Sequence, residues 1–259
     1  MTVRRSMVYV GVVALACVPL TWLTRAITDA RVDARSAQCI SNLKQIGLGL
    51  LNYESRYGCF PPAYVADATG RPLYSWRVLL MAELDRTDGW FGGRLAGGFH
   101  FDEPWDSPNN CLLHPLEPYT ALRCPSDSAH EGSNETNFVA VVGPGTMFPS
   151  DGTSRRLADV TDGLENTLAV VEVVDAGIHW MEPKELDWST MSFRLNDRSH
   201  PSISSNHPFR GSSYPGPHIL TVNDMVTYLR RNLRPETLRA LLTIAGGETI
   251  DQREWSMEP

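Results

Sequence analysis

The chain has 259 residues, with 23 Lys and Arg against 30 Asp and Glu, so its formal net charge at pH 7 is −7. This acidic balance argues against a nucleic-acid partner, because proteins that bind nucleic acid present basic surfaces to the phosphates. Hydrophobic residues make up 42% of the chain and charged residues 20%, which excludes a wholly disordered protein and allows a substantial core.

The first predicted element is a single membrane anchor near the N-terminus. Residues 6–24 carry no charged side chain, and the mostly apolar run Met7–Leu23 would form a helix of about 26 Å, close to the thickness of a bilayer's hydrocarbon core. Arg4 and Arg5 precede the run, so the positive-inside rule places the N-terminus in the cytoplasm. A cleaved signal peptide and lipidation at Cys17 are the alternatives. We expect an uncleaved anchor, because no small-residue cleavage site is clear and the run continues beyond Cys17.

The second predicted element is an amphipathic helix that continues from the anchor to Gly58, just before the stop signal Pro61-Pro62. Apolar residues recur along it at spacings of three and four, which places them on one face: Ile40, Leu43, Ile46, Leu50, Tyr53 and Tyr57. The opposite face carries Asn42, Lys44, Gln45, Asn52 and Arg56. We expect the apolar face to pack on its own domain; the alternative is contact with a partner helix. Gly47 and Gly49 would weaken this helix, so we expect a sheet to approach them closely.

The remaining elements are short and are joined by turn-rich loops. Ser75 can cap a short helix that carries Trp76, Leu79, Leu80 and Leu84 on one side. Residues 89–125 form an aromatic, irregular insertion. Five later segments are rich in β-branched residues and are predicted to form strands of an antiparallel sheet: Asn137–Val142, Thr167–Val174, Ile178–Met181, Ile219–Val222 and Met225–Leu229. A C-terminal helix is predicted to begin at Pro235 and to end before Gly246-Gly247.

Several short motifs accompany these elements. They include Ala37-Gln38-Cys39, Asn42-Leu43-Lys44-Gln45-Ile46-Gly47, Phe60-Pro61-Pro62, Ser75-Trp76-Arg77, Pro104-Trp105-Asp106, Cys124-Pro125-Ser126-Asp127, Thr136-Asn137-Phe138, Val142-Gly143-Pro144-Gly145 and Gly246-Gly247-Glu248. Together with the apolar N-terminal run, they resemble the bacterial pilin-like family called domain of unknown function 1559, whose members resemble the major pseudopilin of type II secretion.

The resemblance implies an α+β, pilin-like fold. In it, a long N-terminal helix, transmembrane in its N-terminal half, packs on an antiparallel β-sheet with an irregular loop-rich insertion and a short C-terminal helix. The chain then divides into a cytoplasmic tip and transmembrane anchor (1–25), the exported half of the long helix (26–58) and an extracytoplasmic pilin-like globular head (59–259).

Two features depart from the family pattern. Prepilin-type members carry a short basic leader that ends in Gly and a Glu early in the mature chain, whereas the first glycine here is Gly11, inside the apolar run, and the first acidic residue is Asp29. We therefore expect no processing by a prepilin peptidase. The family's Asp-Gly-Ser-Val hairpin is replaced by Asn223-Asp224-Met225-Val226, where the turn can survive because Asn and Asp tolerate positive φ.

Four cysteines are expected in the exported, oxidising part, namely Cys39, Cys59, Cys111 and Cys124. Cys39 and Cys59 are twenty residues apart on one predicted helix, or about 30 Å, whereas a disulfide requires Cα atoms roughly 4.4–6.8 Å apart. Two complete pairings stay open: Cys39–Cys124 with Cys59–Cys111, or the crossed arrangement. The resemblance favours the first, because Cys39 and Cys124 both belong to the recurrent motifs. The alternative is that the thiols stay free or form a single bond.

The motifs of common enzymes are missing, since the chain has no Gly-x-Ser-x-Gly elbow, His-Glu-x-x-His, phosphate loop or dinucleotide fingerprint. We therefore predict that the protein is not an enzyme and has no catalytic residue, cofactor or metal. Weaker alternatives are a metal held by His200, His207 and His218, or calcium held by acids of two loops (Asp102, Glu103, Asp106 and Asn109; Asp159, Asp162 and Glu165). Five tryptophans are expected to serve as core anchors or, alternatively, as a carbohydrate platform: Trp76, Trp90, Trp105, Trp180 and Trp188.

Taken together, these features favour a membrane-anchored, pilin-like or pseudopilin-like structural or assembly protein of uncharacterised role. Its expected partners are membrane lipid, through the N-terminal span, and pilin-like or secretion-system subunits. The single-pass topology places the N-terminus in the cytoplasm and the head outside it, in the periplasm or at the cell surface. An exported ligand-binding module for a glycan or a protein, on the same anchor, is the alternative, and a membrane-anchored hydrolase is a third class.

Overall fold

A computed structural model describes residues 2–88, 93–114, 120–127, 133–207 and 216–257, with the side chains of all of these except 2–20, 86–88 and 120. The helices are α1 (Thr2–Tyr57), α2 (Trp76–Asp88), α3 (Arg94–Gly98), α4 (Pro235–Leu242) and α5 (Gln252–Trp255). The strands are β1 (Tyr64–Ala66), β2 (Pro72–Ser75), β3 (Phe138–Val139), β4 (Val141–Val142), β5 (Leu168–Glu172), β6 (Leu186–Asp187), β7 (His218–Thr221), β8 (Val226–Leu229) and β9 (Ser256–Met257). The predicted mixed fold, with a long N-terminal helix and an antiparallel sheet, is confirmed.

Helix α1 is a 56-residue helix about 84 Å long. It ends at Tyr57, and the next residue, Gly58, turns the chain away with a φ of 72°. Four of its apolar side chains are buried in the head: Cys39, Leu43, Ile46 and Leu50. The polar face was predicted less well, because Asn42 is buried as well. Its amide donates a hydrogen bond of 2.8 Å to the carbonyl of Arg123, so a polar side chain on this helix holds a loop of the head.

Among the described residues, no helix combines the length and the apolar character that crossing a membrane requires. Most of the predicted anchor, Met7–Leu23, falls on residues 1–20, whose side chains lie outside the described part, as does the lipidation candidate Cys17.

The main sheet has five antiparallel strands in the order β3-β5-β7-β8-β9, beside the antiparallel pair β1-β2 and the parallel pair β4-β6. The predicted strand Asn137–Val142 is divided into β3 and β4, because the backbone N–H of Ala140 donates to the Glu185 carboxylate at 2.7 Å rather than to a strand. The strand predicted at Ile178–Met181 is reduced to an isolated antiparallel bridge between His179 and Glu135. A turn follows it, in which Glu182 N donates to His179 O at 2.9 Å.

The main sheet lies between two layers, so both of its faces are buried. One face packs on α1 and α2 and contributes Phe138, Val170, Leu220 and Val226 to the larger core. The other face packs on α4 and α5 and contributes Val139, Val171, Ile219 and Leu229 to a second core. Helix α4 begins with Pro235 at its first turn, which confirms the predicted C-terminal helix.

Gly47 and Gly49 allow α1 to approach its neighbours closely. A Cβ atom at Gly47 would lie 1.9 Å from Asp224 Oδ1 and 2.9 Å from Leu220 Cδ1, so the predicted approach of a sheet is confirmed there. A Cβ atom at Gly49 would instead lie 2.7 Å from Leu80 Cδ1, on α2. The two glycines therefore dock one helix against a strand hairpin on one side and a helix on the other.

A buried ion pair fastens α2 to the segment that precedes β6. Arg77 donates to Glu185 Oε1 at 2.7 Å, with the two side chains 0% and 4% exposed. The same guanidinium also donates to the carbonyls of Trp180, Glu182 and Lys184. This network gives the Ser75-Trp76-Arg77 motif its role. Ser75, the residue before α2, belongs to the network too, since its hydroxyl donates to the Trp180 carbonyl at 3.0 Å.

The hairpin between β7 and β8 turns at Asn223-Asp224 without a glycine. Asp224 has a φ of 66°, which Asp tolerates better than most residues, and Asn223 Oδ1 accepts hydrogen bonds from Thr221 and Met225. Asp224 Oδ1 is buried and has no hydrogen-bond partner in the described part of the chain. The position therefore combines left-handed backbone with an unpaired buried oxygen.

We expect Asp224→Gly to raise the free energy of unfolding by about 1 kcal/mol, because glycine adopts positive φ without strain and removes the unpaired oxygen. Urea denaturation would measure the change. Asn223→Gly is the matched control: it removes two hydrogen bonds of the same turn and should lower stability. A loss of stability in Asp224→Gly would contradict the argument.

Candidate functional site

The site is a buried cluster of two thiols, a carboxylate and an imidazole, where α1 meets the main sheet. Cys39, Cys124, Glu172 and His207 each direct one potential ligand atom into it, and these four atoms lie within 4.8 Å of one another. All four residues are buried. They come from four segments that are far apart in sequence: α1, the loop after residue 122, β5 and the loop that precedes β7.

The individual distances define a tight arrangement. His207 Nε2 lies 3.2 Å from Glu172 Oε1 and 3.6 Å from Cys124 Sγ. Cys39 Sγ lies 4.0 Å from the same Glu172 oxygen. Glu172 Oε1 therefore faces both a thiol and an imidazole, while His207 Nε2 faces both the carboxylate and the other thiol.

The second oxygen of Glu172 belongs to a separate set of contacts. Glu172 Oε2 accepts a 2.9 Å bond from the backbone N–H of His218 and lies 3.0 Å from His218 Nδ1. The His218 ring packs against His207 and Tyr228, with centroids 4.3 and 4.4 Å apart. Tyr228 in turn shares a 2.6 Å hydrogen bond with Ser36 of α1. The carboxylate is thus held in place from β7, and only Oε1 points into the cluster.

Cys124 is positioned by Asn137, at the start of β3. Asn137 Oδ1 accepts a 2.9 Å bond from the backbone N–H of Cys124. Its amide donates to Asp127 Oδ2 at 2.7 Å and to the Val173 carbonyl at 3.0 Å. These bonds join two of the sequence motifs, Cys124-Pro125-Ser126-Asp127 and Thr136-Asn137-Phe138, and give them a shared role in placing the Cys124 thiol.

The ionisable groups of the cluster shift one another. Burial alone would raise the pKa of Glu172, but attraction to His207 and hydrogen bonds from His207 and His218 lower it below its usual range. Burial opposes a charged His207, yet Glu172 and Cys124 raise the pKa of His207 to about 10. Burial lowers the pKa of His218. Burial also raises the pKa of Cys39, whereas the hydrogen bond with Cys39 lowers that of Cys124. These shifts favour a charged pair of Glu172 and His207 beside the two sulfur atoms.

The four predicted disulfide residues are placed differently. Cys39 and Cys124 lie side by side in the cluster, whereas Cys59 is half-buried and Cys111 is exposed. Cys111 Sγ donates to the carbonyl of Asp106 at 3.4 Å. All four are free thiols here, so the two proposed bonds stay predictions.

The structure divides the three histidines that the sequence grouped. His207 and His218 meet at Glu172, while His200 is exposed and faces Asp197 at 3.7 Å. Glu172 was missed by sequence analysis, although a signal existed: it is a single carboxylate in the otherwise apolar run Leu168–Val174. A charged residue in such a buried strand needs a partner.

The loop acids proposed for calcium take part in local hydrogen bonds. Glu103 accepts the amide of Asn109 at 2.8 and 3.1 Å. Asp162 accepts the backbone N–H groups of Gly246 and Gly247 at 2.6 and 2.9 Å. In the residues described, the cluster at Cys39 is the one group of three or more His, Cys, Asp or Glu side chains close enough to share an ion.

The tryptophans do not form a common platform among the described residues. Trp76 and Trp180 are fully buried, and Trp105 packs on His114 and His179 with centroids 5.4 and 4.7 Å apart. Trp90 lies outside the described residues. Trp76 and Trp180 therefore serve as core anchors.

A cavity of about 760 Å³ lies beside β6. Its lining includes Lys184, Asp187, Asp197 and His200 together with apolar side chains such as Ile178. Its size is in the range of small-molecule sites.

A family model described as "Protein of unknown function (DUF1559)" matches residues 28–201, which is more than half of the chain. The match includes Cys39, Cys124 and Glu172 and ends before His207. Comparison with curated proteins and with solved structures found no match.

Proposed function

Since the chain belongs to the DUF1559 family of proteins of unknown function, we propose that it is a pilin-like structural or assembly protein, held in a membrane by the N-terminal part of α1. The observation that carries the proposal is the division of α1. Between Cys39 and Leu50 the helix contributes buried side chains to the core of the head, whereas residues 21–28 are all exposed. One helix thus both supports the head and projects from it.

The projecting part of α1 presents apolar side chains that the head does not cover. Trp22, Leu23 and Ile27 are 74%, 56% and 44% exposed. Large apolar side chains on a projecting helix are suited to contact with lipid or with apolar faces of other subunits. In this proposal the helix continues toward its N-terminus through a membrane, with the N-terminus in the cytoplasm and the head outside it. Lipid and pilin-like or secretion-system subunits are then the partners.

Photocrosslinking in native membranes tests the proposal. A photoreactive benzoylphenylalanine replaces Ile27, in the projecting part of α1, and the same residue replaces Leu112, which is 77% exposed on the head. We expect the probe at position 27 to give adducts with lipid and with other pilin-like chains, because the apolar side chains around it are not covered by the head. The control at position 112 should give few.

Recovery of the position-27 protein as an uncrosslinked monomer, with an adduct yield equal to that of the control, would contradict the proposal. That result would favour the second candidate, a ligand-binding module for a glycan or a protein. The cavity of about 760 Å³ beside β6 supports this alternative, because its lining combines the polar residues Lys184, Asp187 and Asp197 with apolar residues such as Ile178.

A further inference from the structure

We propose that Cys39, Cys124, His207 and Glu172 bind one Zn²⁺ ion, through both Sγ atoms, His207 Nε2 and Glu172 Oε1. This metal site replaces the sequence-based expectation that no residue binds a metal. It stands on the geometry of the head alone and is independent of the proposed role in assembly.

The distances between the four atoms suit a tetrahedral zinc ion. With Zn–S of about 2.3 Å, Zn–N of about 2.05 Å and Zn–O of about 2.1 Å, neighbouring ligand atoms lie about 3.4–3.8 Å apart. The observed separations are 3.6 Å between Cys124 Sγ and His207 Nε2, 3.2 Å between His207 Nε2 and Glu172 Oε1, and 4.0 Å between Cys39 Sγ and Glu172 Oε1. The remaining pairs of ligand atoms are all separated by no more than 4.8 Å. Side-chain shifts of about 1 Å or less would therefore complete the coordination.

The donor set selects the metal. Two thiolates and an imidazole are ligands that zinc prefers, while calcium and magnesium require several oxygens and would find one here. Four protein ligands also complete the tetrahedral shell, so no position is left for a substrate or a water molecule. Such a closed site is structural rather than catalytic.

Contacts outside the ligand shell orient the carboxylate as a zinc site requires. His218 holds Glu172 Oε2 through its backbone N–H at 2.9 Å and its Nδ1 at 3.0 Å. Glu172 would therefore coordinate through Oε1 alone. Asn137 does the same for the Cys124 segment by accepting the Cys124 N–H. Partners of this kind commonly fix the direction of metal ligands.

The protons and charges balance without a further reactant. On binding, zinc forms two Zn–S bonds, one Zn–N bond and one Zn–O bond. The thiol protons of Cys39 and Cys124 and the proton of the His207 imidazolium pass to solvent. No electron is transferred, because zinc does not change its oxidation state.

The ion would join α1 to three other segments of the head. Its ligands are separated by 85, 48 and 35 residues along the chain, so the site would close long loops that are costly to order. Zinc binding should therefore raise the thermal midpoint of the head and fasten α1 to it at Cys39.

Zinc and the predicted Cys39–Cys124 disulfide exclude each other, because both use the same two sulfur atoms. Metal analysis of the full chain, purified in mild detergent without chelators, tests between them. We expect about one zinc per chain and two free cluster thiols after zinc is removed under argon. We also expect Co²⁺ to replace zinc and to give the thiolate charge-transfer and d–d absorption bands of a tetrahedral cobalt site.

Variants assign the ligands. Cys39→Ser and His207→Gln should each lose most of the bound zinc and most of the rise in thermal midpoint on adding zinc. Cys111→Ser is the matched control, because Cys111 is an exposed thiol outside the cluster, and it should bind zinc as the unchanged chain does.

Three results would overturn the proposal. The first is a metal-free chain whose intact mass and peptide map show a Cys39–Cys124 disulfide. The second is iron or copper in place of zinc in the unchanged chain. The third is full zinc retention in both Cys39→Ser and His207→Gln. The first two tests use the unchanged chain, so they remain decisive even if a variant fails to fold.

Discussion

The Arg77→Met variant is expected to lose about 3–5 kcal/mol of unfolding free energy, because it leaves the buried carboxylate of Glu185 without its cation. The side chains of this pair are 0% and 4% exposed. The substitution also removes the donors to the carbonyls of Trp180, Glu182 and Lys184. Urea denaturation of the full chain, followed by tryptophan fluorescence, would measure the loss.

Arg234→Met is the matched control for this prediction. Arg234 pairs with Glu254 at 3.4 Å, but both side chains are largely exposed, so its loss should cost less than about 1 kcal/mol. Equal losses in the two variants would contradict the view that burial gives the Arg77 pair its importance.

The Leu43→Ala variant is expected to lose about 2–5 kcal/mol, because it opens a cavity where α1 packs in the head. Leu43 is fully buried, and it belongs to the same core as Leu220 of β7 and Trp76 of α2. Thermal and urea unfolding of the full chain would both show the change.

The same substitution at Leu48 provides a control on the same helix. Leu48 is 54% exposed, so Leu48→Ala should change stability by less than about 0.5 kcal/mol. If Leu43→Ala were as mild as Leu48→Ala, the docking of α1 in the head would be refuted, and with it the premise of the proposed function.

The elements that were predicted well have strong local signals. Helix α1 follows from a stretch that has no proline between Thr24 and Gly58 and an apolar repeat from Ile40 to Tyr57, and α4 follows from Pro235 and its leucines. The β7–β8 hairpin follows from two apolar strands around Asn223-Asp224. In each case the periodicity and the turn residues lie within one stretch of sequence, so a local pattern is sufficient.

The elements that were missed depend on contacts between distant segments. Strand β9 has two residues and exists through its pairing with β8, which no local pattern reveals. The break between β3 and β4 depends on Glu185 reaching Ala140 N. Strands of two or three residues, including β1 and β6, are too short for periodicity to be recognised.

The candidate site was half predictable. The resemblance brought Cys39 and Cys124 together, and loop composition singled out His207 and His218 as possible ligands. Nothing in the sequence joined the two pairs, because the residue that connects them is Glu172, on a strand that reads as apolar core. The long separations along the chain between the four ligands explain why spacing rules for metal motifs found no match.

Helix α1 has no break between the part that projects and the part that packs in the head. Tension on its N-terminal end would therefore load the packed side chains between Cys39 and Leu50 in shear. All of these side chains would share the load at once. The head would follow the orientation of the helix instead of swinging on a hinge. The direction in which the N-terminal part is held would then determine which face of the head meets its surroundings.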